Sequence, residues 1–417
     1  MTRDALLALG ISLSSATQWR FSGLPLGLGD LLIVLWILIC VFDLLARRSS
    51  THVAALYRLA TFWGLFAFAL SIGALVGFIV EYRVATDLSL HDTFAYLLMA
   101  TMTCLAVAIA DEPVHFRRAA WLLMLFWNIG IAAQIAAGWE IIHLPSVEPW
   151  YWDRFRGWAE NPNQLAIVCC VTTLLAVHLA STSTGFGCLF GLLAAVGPLV
   201  AGRLSKSDTF ISVMIFSGAL LVGLQLRRSV STASSRSGLR YAFVLLALIF
   251  VVPAAVSLWP FAKAGASDAE DFALSLAKDK GGAASERTLD LRLHLWEQAI
   301  ELGARSGSLG LGPGPHLDPP DVVHNRDNPF EAHNTPLDVF LQGGIIGLGA
   351  LAGLVASTAL LLYRAKLDAL LVLVIAVTIF STAHLIIRHP IVWFAMALCV
   401  STGCAQLRLS PALNTRR

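Results

Sequence analysis

About twelve stretches of this chain approach the roughly 20 apolar residues that a helix needs to cross the hydrocarbon of a bilayer. They run 4–19, 27–46, 57–80, 92–110, 119–138, 164–180, 186–202, 209–226, 240–260, 336–362, 369–385 and 391–407. In hydrocarbon every backbone amide and carbonyl needs a partner inside the protein, so all of them read as helices. The composition agrees: 57% of the 417 residues are hydrophobic and 13% charged, against about 25% charged in a soluble domain. The fold class is an all-α polytopic membrane protein. Residues 4–16 read as its first span and not as a removed signal peptide.

A net charge of +2 is too small to mark a nucleic-acid binder, and no such partner is expected. The basic residues mark topology instead. With the N-terminus inside, the cytoplasmic connections carry Arg47-Arg48, Arg117-Arg118, Arg227-Arg228 with Arg236 and Arg240, and Arg364 with Lys366, and the tail adds Arg408, Arg416 and Arg417. This follows the positive-inside rule with an even number of spans. The chain divides into residues 1–260 with nine spans, an outer loop at 261–335, and residues 336–417 with three spans. The seven cysteines all fall in apolar segments without metal-ligand spacing and read as small packing residues.

Chemistry concentrates in the outer loops. Residues 139–163 hold Trp139, Trp150, Trp152 and Trp158 with Arg154 and Arg156, and the tryptophans are equally readable as interfacial belt residues. The loop at 261–335 is the one soluble-sized piece. Its pattern predicts an amphipathic helix from Leu289 to about Ala304, with Leu291, Leu295, Ile300 and Leu302 among its apolar residues. A loop rich in Gly, Pro, His and Asn follows.

Positive-inside pressure disfavours arginine on this face, yet Arg154, Arg156, Arg203, Lys206, Arg292 and Arg388 all lie there. Guanidinium groups grip phosphate oxygens in bidentate fashion, so the set points to an anionic ligand. Singly, each has a plainer account in an ion pair: Arg154 with Asp153, Arg292 with Asp290, Lys206 with Asp208. Asn161-Pro162-Asn163 reads as a turn and N-cap for the following span. The run Gly310-Leu311-Gly312-Pro313-Gly314 would let amides approach a phosphate, but lacks the Lys-Ser/Thr end of a P-loop. His333-Asn334 stands at the start of the tenth span. It reads either as a cap or as a titratable group where loop meets bilayer. His294, His316, His324 and His389 share this face in spacings that fit no zinc site, so no metal is expected.

His333-Asn334, nine residues, then Gly344-x-x-Gly347 resembles the motif of the bacterial O-antigen ligase family. Arg292-x-x-Leu295-Trp296 followed by the glycine run is similar to the same family's outer loop, shared with Wzy-type polymerases. Arg154-Phe-Arg-Gly157 with Asn161-Pro-Asn163 resembles its earlier loop, and Arg203 to Asp208 resembles a further basic region. The resemblance covers roughly residues 150–390. It implies a GT-C-like bundle in the bacterial inner membrane, with its active face in the periplasm. It also implies metal-free transfer of a glycan from undecaprenyl diphosphate to an acceptor sugar hydroxyl, without a cofactor. Ligases use lipid A-core as acceptor, and polymerases use a second lipid-linked repeat unit. His333 would be the base; Arg292, Arg154, Arg156, Asn334 and Arg388 would hold the donor. The central basic position reads Lys206-Ser-Asp here, which leaves Lys206 and Arg203 both open to that role. The Arg388-His389-Pro390 turn before Trp393 tilts the resemblance toward a polysaccharide polymerase.

A rival reading is a transporter or flippase for an anionic lipid-linked polysaccharide precursor, which would place ionisable groups within the spans. Asp43, Asp92, Asp111, His178, Asp338 and His384 are among those in spans or at their ends, whereas the outer loops carry the larger concentration.

Overall fold

The computed structural model describes residues 2–21, 26–46, 53–80, 86–109, 113–144, 146–231, 283–318 and 330–414. They form α1 (Thr2–Ser14), α2 (Leu28–Ala46), α3 (Val53–Ile79), α4 (Thr86–Ile109), α5 (Pro113–Gly138), α6 (Pro162–Ser181), α7 (Phe186–Leu204) and α8 (Asp208–Ser231). Four more follow: α9 (Ala283–Arg305), α10 (Thr335–Arg364), α11 (Asp368–Ser381) and α12 (Pro390–Asn414). The one sheet among the described residues is a hairpin of β1 (Trp150–Tyr151) and β2 (Arg154–Phe155).

Nine of the described helices are long and apolar enough to cross a membrane, and α11 is a shorter apolar helix of 14 residues. Two of the roughly twelve expected stretches form shorter helices. The first stretch folds as a 13-residue helix ending at Ser14, too short to cross hydrocarbon unaided. The eleventh stops at Ser381, and its last residues turn into a loop at the site. The ninth stretch, 240–260, lies outside the described residues.

The bundle is built outward from α6, which is buried along almost its whole length, with α11 and α12 packed beside it. Peripheral helices expose leucine and phenylalanine, as at Leu38, Phe42, Phe78 and Phe186. That inversion suits a hydrocarbon solvent, and it forces each polar backbone group to find a protein partner. Pro198 inside α7 cannot donate to the carbonyl of Ala194, and the Asn128 amide on α5 donates to that carbonyl at 3.0 Å instead.

A larger break shapes the site. Gly344 sits inside α10 at φ 60°, ψ −159°, which opens the helix two turns from its start. The loop after α9 fills the gap: the Leu311 and Gly312 amides donate to the carbonyls of Leu341 and Gln342 at 2.8 and 2.9 Å. The Ile345 amide donates to the Ser308 carbonyl at 2.9 Å. A Cβ on Gly310 would lie 2.5 Å from the Gln342 carbonyl oxygen, so only glycine permits this approach. The Leu311 and Gly312 amides are thus spent on the broken helix and not held out toward a phosphate.

Candidate functional site

The site gathers at one end of the bundle, where the hairpin, the α7–α8 connection, α9, the start of α10 and the α11–α12 connection meet. The apolar stripe of α9 runs through Leu291, Leu295, Ala299 and Leu302, and Ile300 is exposed. Leu295 and Ala299 pack with Leu311, Leu317, Ala332 and Leu341. The Trp296 indole donates to the Ala332 carbonyl at 2.9 Å. Residues 292, 295, 296 and 299 share one helical face, so anchoring Leu295 and Trp296 brings Arg292 to the His333 turn.

His333 has φ +52°, a left-handed backbone uncommon outside glycine although tolerated by histidine. Its neighbours hold it there. Asn334 is the N-cap of α10, accepting from the Leu337 amide at 3.2 Å. The buried Asp338 carboxylate reaches back and accepts from the amides of Ala332 at 2.8 Å and Asn334 at 3.3 Å. His333 is thus clamped on both sides, a constrained conformation of the kind found at functional sites. Its side chain is open to solvent, yet burial by surrounding protein is the first cause holding its pKa below the ordinary value. Glu331 pulls the pKa up, and Arg292 and Arg388 push it down. The imidazole is therefore neutral at pH 7.

Arg292 is half-buried and has no hydrogen-bond or ion-pair partner among the described residues. The side chain of Asp290, one candidate for it, lies outside them. Burial and then the charge of Arg154 depress the Arg292 pKa, with Asp208 opposing. Arg154 is aimed by neutral acceptors: its Nε donates to the Ser205 carbonyl at 3.0 Å and its Nη2 to Asn163 Oδ1 at 2.9 Å. Asn161 caps α6 as expected, accepting from the Asn163 amide at 2.8 Å. Two guanidinium groups that feel each other, neither neutralised by a contacting carboxylate among the described residues, have the chemistry to hold an anion.

The other expected site residues divide. Arg388 forms ion pairs with Asp92 of α4 and Glu331. Burial pulls its pKa down, but these carboxylates outweigh burial and hold it above the usual arginine range. Arg156 is spent on Glu148 at 2.9 Å and on the Glu148 and Glu160 carbonyls. Lys206 pairs with Asp153 at 2.6 Å, not with Asp208. Arg203 lies exposed on the last turn of α7. His316 is buried against the Gly312 carbonyl at 2.7 Å, and His294 meets Gln298 on the exposed side of α9. His324 lies outside the described residues. No three His, Cys, Asp or Glu side chains gather in a metal-ligating group among the described residues.

His384, not counted in the site from sequence, joins it here. Its ring packs on Phe380 with centroids 4.9 Å apart, and its carbonyl accepts from the Thr335 hydroxyl at 2.7 Å. Burial first, then Arg292, His333 and Arg154, hold its pKa down to about 3. The available signal was an ionisable residue closing an apolar segment.

Residues 168–352 match the O-antigen ligase family (Wzy_C). Over that stretch, which is less than half of its length, the chain is similar to the O-antigen ligase/polymerase superfamily. The matched stretch runs from α6 to the middle of α10 and contains Arg203, Lys206, Arg292, His333 and Asn334. Arg154, Arg156, His384 and Arg388 fall outside it. No curated protein matches the chain.

Proposed function

We propose that this protein transfers a glycan from an undecaprenyl-diphosphate-linked donor to an acceptor sugar hydroxyl, on the periplasmic face of the bacterial inner membrane. The observation that carries the reading is the half-buried guanidinium of Arg292, without a hydrogen-bond or ion-pair partner among the described residues, close enough to Arg154 and to the neutral His333 to interact electrostatically. In this reading the opposite end of the bundle, with both termini and the arginine-rich connections, faces the cytoplasm.

An acceptor hydroxyl is a poor nucleophile until a base removes its proton. In this reading His333 takes that proton as the oxygen attacks the anomeric carbon. The bond from that carbon to the diphosphate oxygen breaks, and the electron pair leaves with the diphosphate. Arg292 and Arg154 stabilise the negative charge that grows there, in a partly dehydrated site where such contacts are strong. One displacement inverts the anomeric centre, so no covalent enzyme intermediate and no metal are required. The acceptor is a second lipid-linked repeat unit or lipid A-core, with the Arg388-His389-Pro390 pattern favouring the former.

Arg388 and Arg156, each matched by acidic partners, position loops in this scheme, and Asn334 acts as the cap that sets His333. The test is transfer by purified protein from an undecaprenyl-diphosphate-linked oligosaccharide. Arg292→Ala should lower the rate by about 10²-fold or more, as expected for a lost transition-state charge contact. Arg292→Lys should restore little because the planar fork is gone. Full activity in Arg292→Ala would remove this residue from the mechanism.

A further inference from the structure

The hairpin that carries Arg154 ends in an exposed tryptophan whose backbone is held in an unfavourable conformation. Trp150 pairs with Phe155 and Tyr151 with Arg154, leaving Trp152 and Asp153 as a two-residue turn. Trp152 has φ +59°, whereas Asp153 is not at positive φ. Positive φ at the first turn position alone is the pattern of a type II′ turn, which favours glycine there. A tryptophan in that place is strained, and such strain marks positions retained for a role.

Its side chain is 87% exposed and Tyr151 is 48% exposed, with their rings 6.3 Å apart. Neither belongs to the packed cluster of Trp139, Trp150 and Phe155 beneath them. The turn is fixed from two sides. Asp153 pairs with Lys206, and Arg154 donates to Ser205, so the aromatic pair is held in place before a ligand arrives. Its surroundings are polar: the side chains of Glu148, Asp153 and Lys206 are 84%, 74% and 52% exposed. Inserting this turn into hydrocarbon would carry those charges with it, at high cost. A pyranose suits the place better. Its C–H face stacks on an aromatic ring, and its hydroxyls reach the charged neighbours.

We propose that Trp152, with Tyr151, is a sugar-stacking platform that binds the glycan of the lipid-linked substrate while Arg154 on the same hairpin meets the diphosphate. This rests on the glycan-transfer reading. Trp152→Gly removes the ring and supplies the residue the turn favours, so the protein should melt at or above the wild-type temperature.

The experiment measures binding of two probes to the full chain in nanodiscs. One is undecaprenyl diphosphate, and the other is undecaprenyl diphosphate bearing an oligosaccharide of at least two pyranoses. Trp152→Gly should weaken the second by about tenfold, the scale of one lost aromatic contact, and leave the first unchanged. Trp152→Phe should bind both nearly as wild type does. Equal affinity of Trp152→Gly and wild type for the glycosylated probe overturns the platform while leaving the transferase reading intact. An equal loss on both probes, as a membrane-anchoring ring would give, also overturns it. Wild-type protein that binds neither probe better than undecaprenyl monophosphate overturns the transferase reading, and the platform with it.

Discussion

Replacing Arg388 by alanine should destabilise the protein far more than an arginine kept for substrate would. Arg388 bridges Asp92, whose side chain is 1% exposed, and Glu331, at 21%, and is itself 23% exposed. Removing it strands the Asp92 carboxylate, left with His91 Nδ1 at 3.2 Å. Breaking a buried ion pair from one side costs about 3–5 kcal/mol, much of it the penalty on the charge left behind. A second cost falls on the site, because Glu331 lies two residues before His333 and loses the cation that fixes it. Thermal unfolding of purified protein, followed by tryptophan fluorescence, would read the first effect. The triple variant Arg388→Met, Asp92→Asn, Glu331→Gln removes all three charges and should recover most of the lost stability. Arg388→Ala that melts at the wild-type temperature yet cannot transfer glycan would refute this reasoning and give Arg388 back to the substrate.

Two further outcomes are expected. Reporter fusions at Ser231 and Lys366 should read cytoplasmic and one at Lys280 periplasmic; a cytoplasmic Lys280 would put the candidate site on the wrong face. Burial holds the pKa of His384 down to about 3 and of His389 down to about 4, helped by Arg292 and Arg388 respectively. The unfolded chain takes up those protons below about pH 6.5 and the folded chain only far below it, so the folded state loses ground in acid. Unfolding midpoints should hold above about pH 7 and fall steadily toward pH 4, and a stability maximum near pH 5 would contradict the burial of these rings.

Much of the architecture was legible because membrane spans are local and compositional: α2 to α8, α10 and α12 lie where the apolar stretches are. The amphipathic helix before the glycine run was legible for the same reason. Contacts between distant residues were not. Nothing near Gly344 says that amides from Leu311 and Gly312 will fill its break, and nothing near Arg388 points to Asp92, 296 residues away. The six outer basic residues looked alike in sequence, and their partners separate them. Arg156, Lys206 and Arg388 are matched by carboxylates, whereas Arg292 has no partner among the described residues and Arg154 is held by neutral acceptors. Asp338 read as an ionisable residue near a span end, and its clamp on the amides beside His333 emerges only once α10 has turned back on the loop before it.

The central claim is that His333 is the base. Its direct test is the rate of glycan transfer by His333→Gln, in EDTA, from a purified undecaprenyl-diphosphate-linked oligosaccharide across pH 6 to 8. The variant should insert and bind donor as wild type does, yet lose about 10²–10⁴-fold in rate, the usual worth of a general base. The wild-type rate should hold down to below about pH 6.5, because burial keeps the His333 pKa under its ordinary value. A His333→Gln protein that transfers glycan at near the wild-type rate across that range would contradict the assignment.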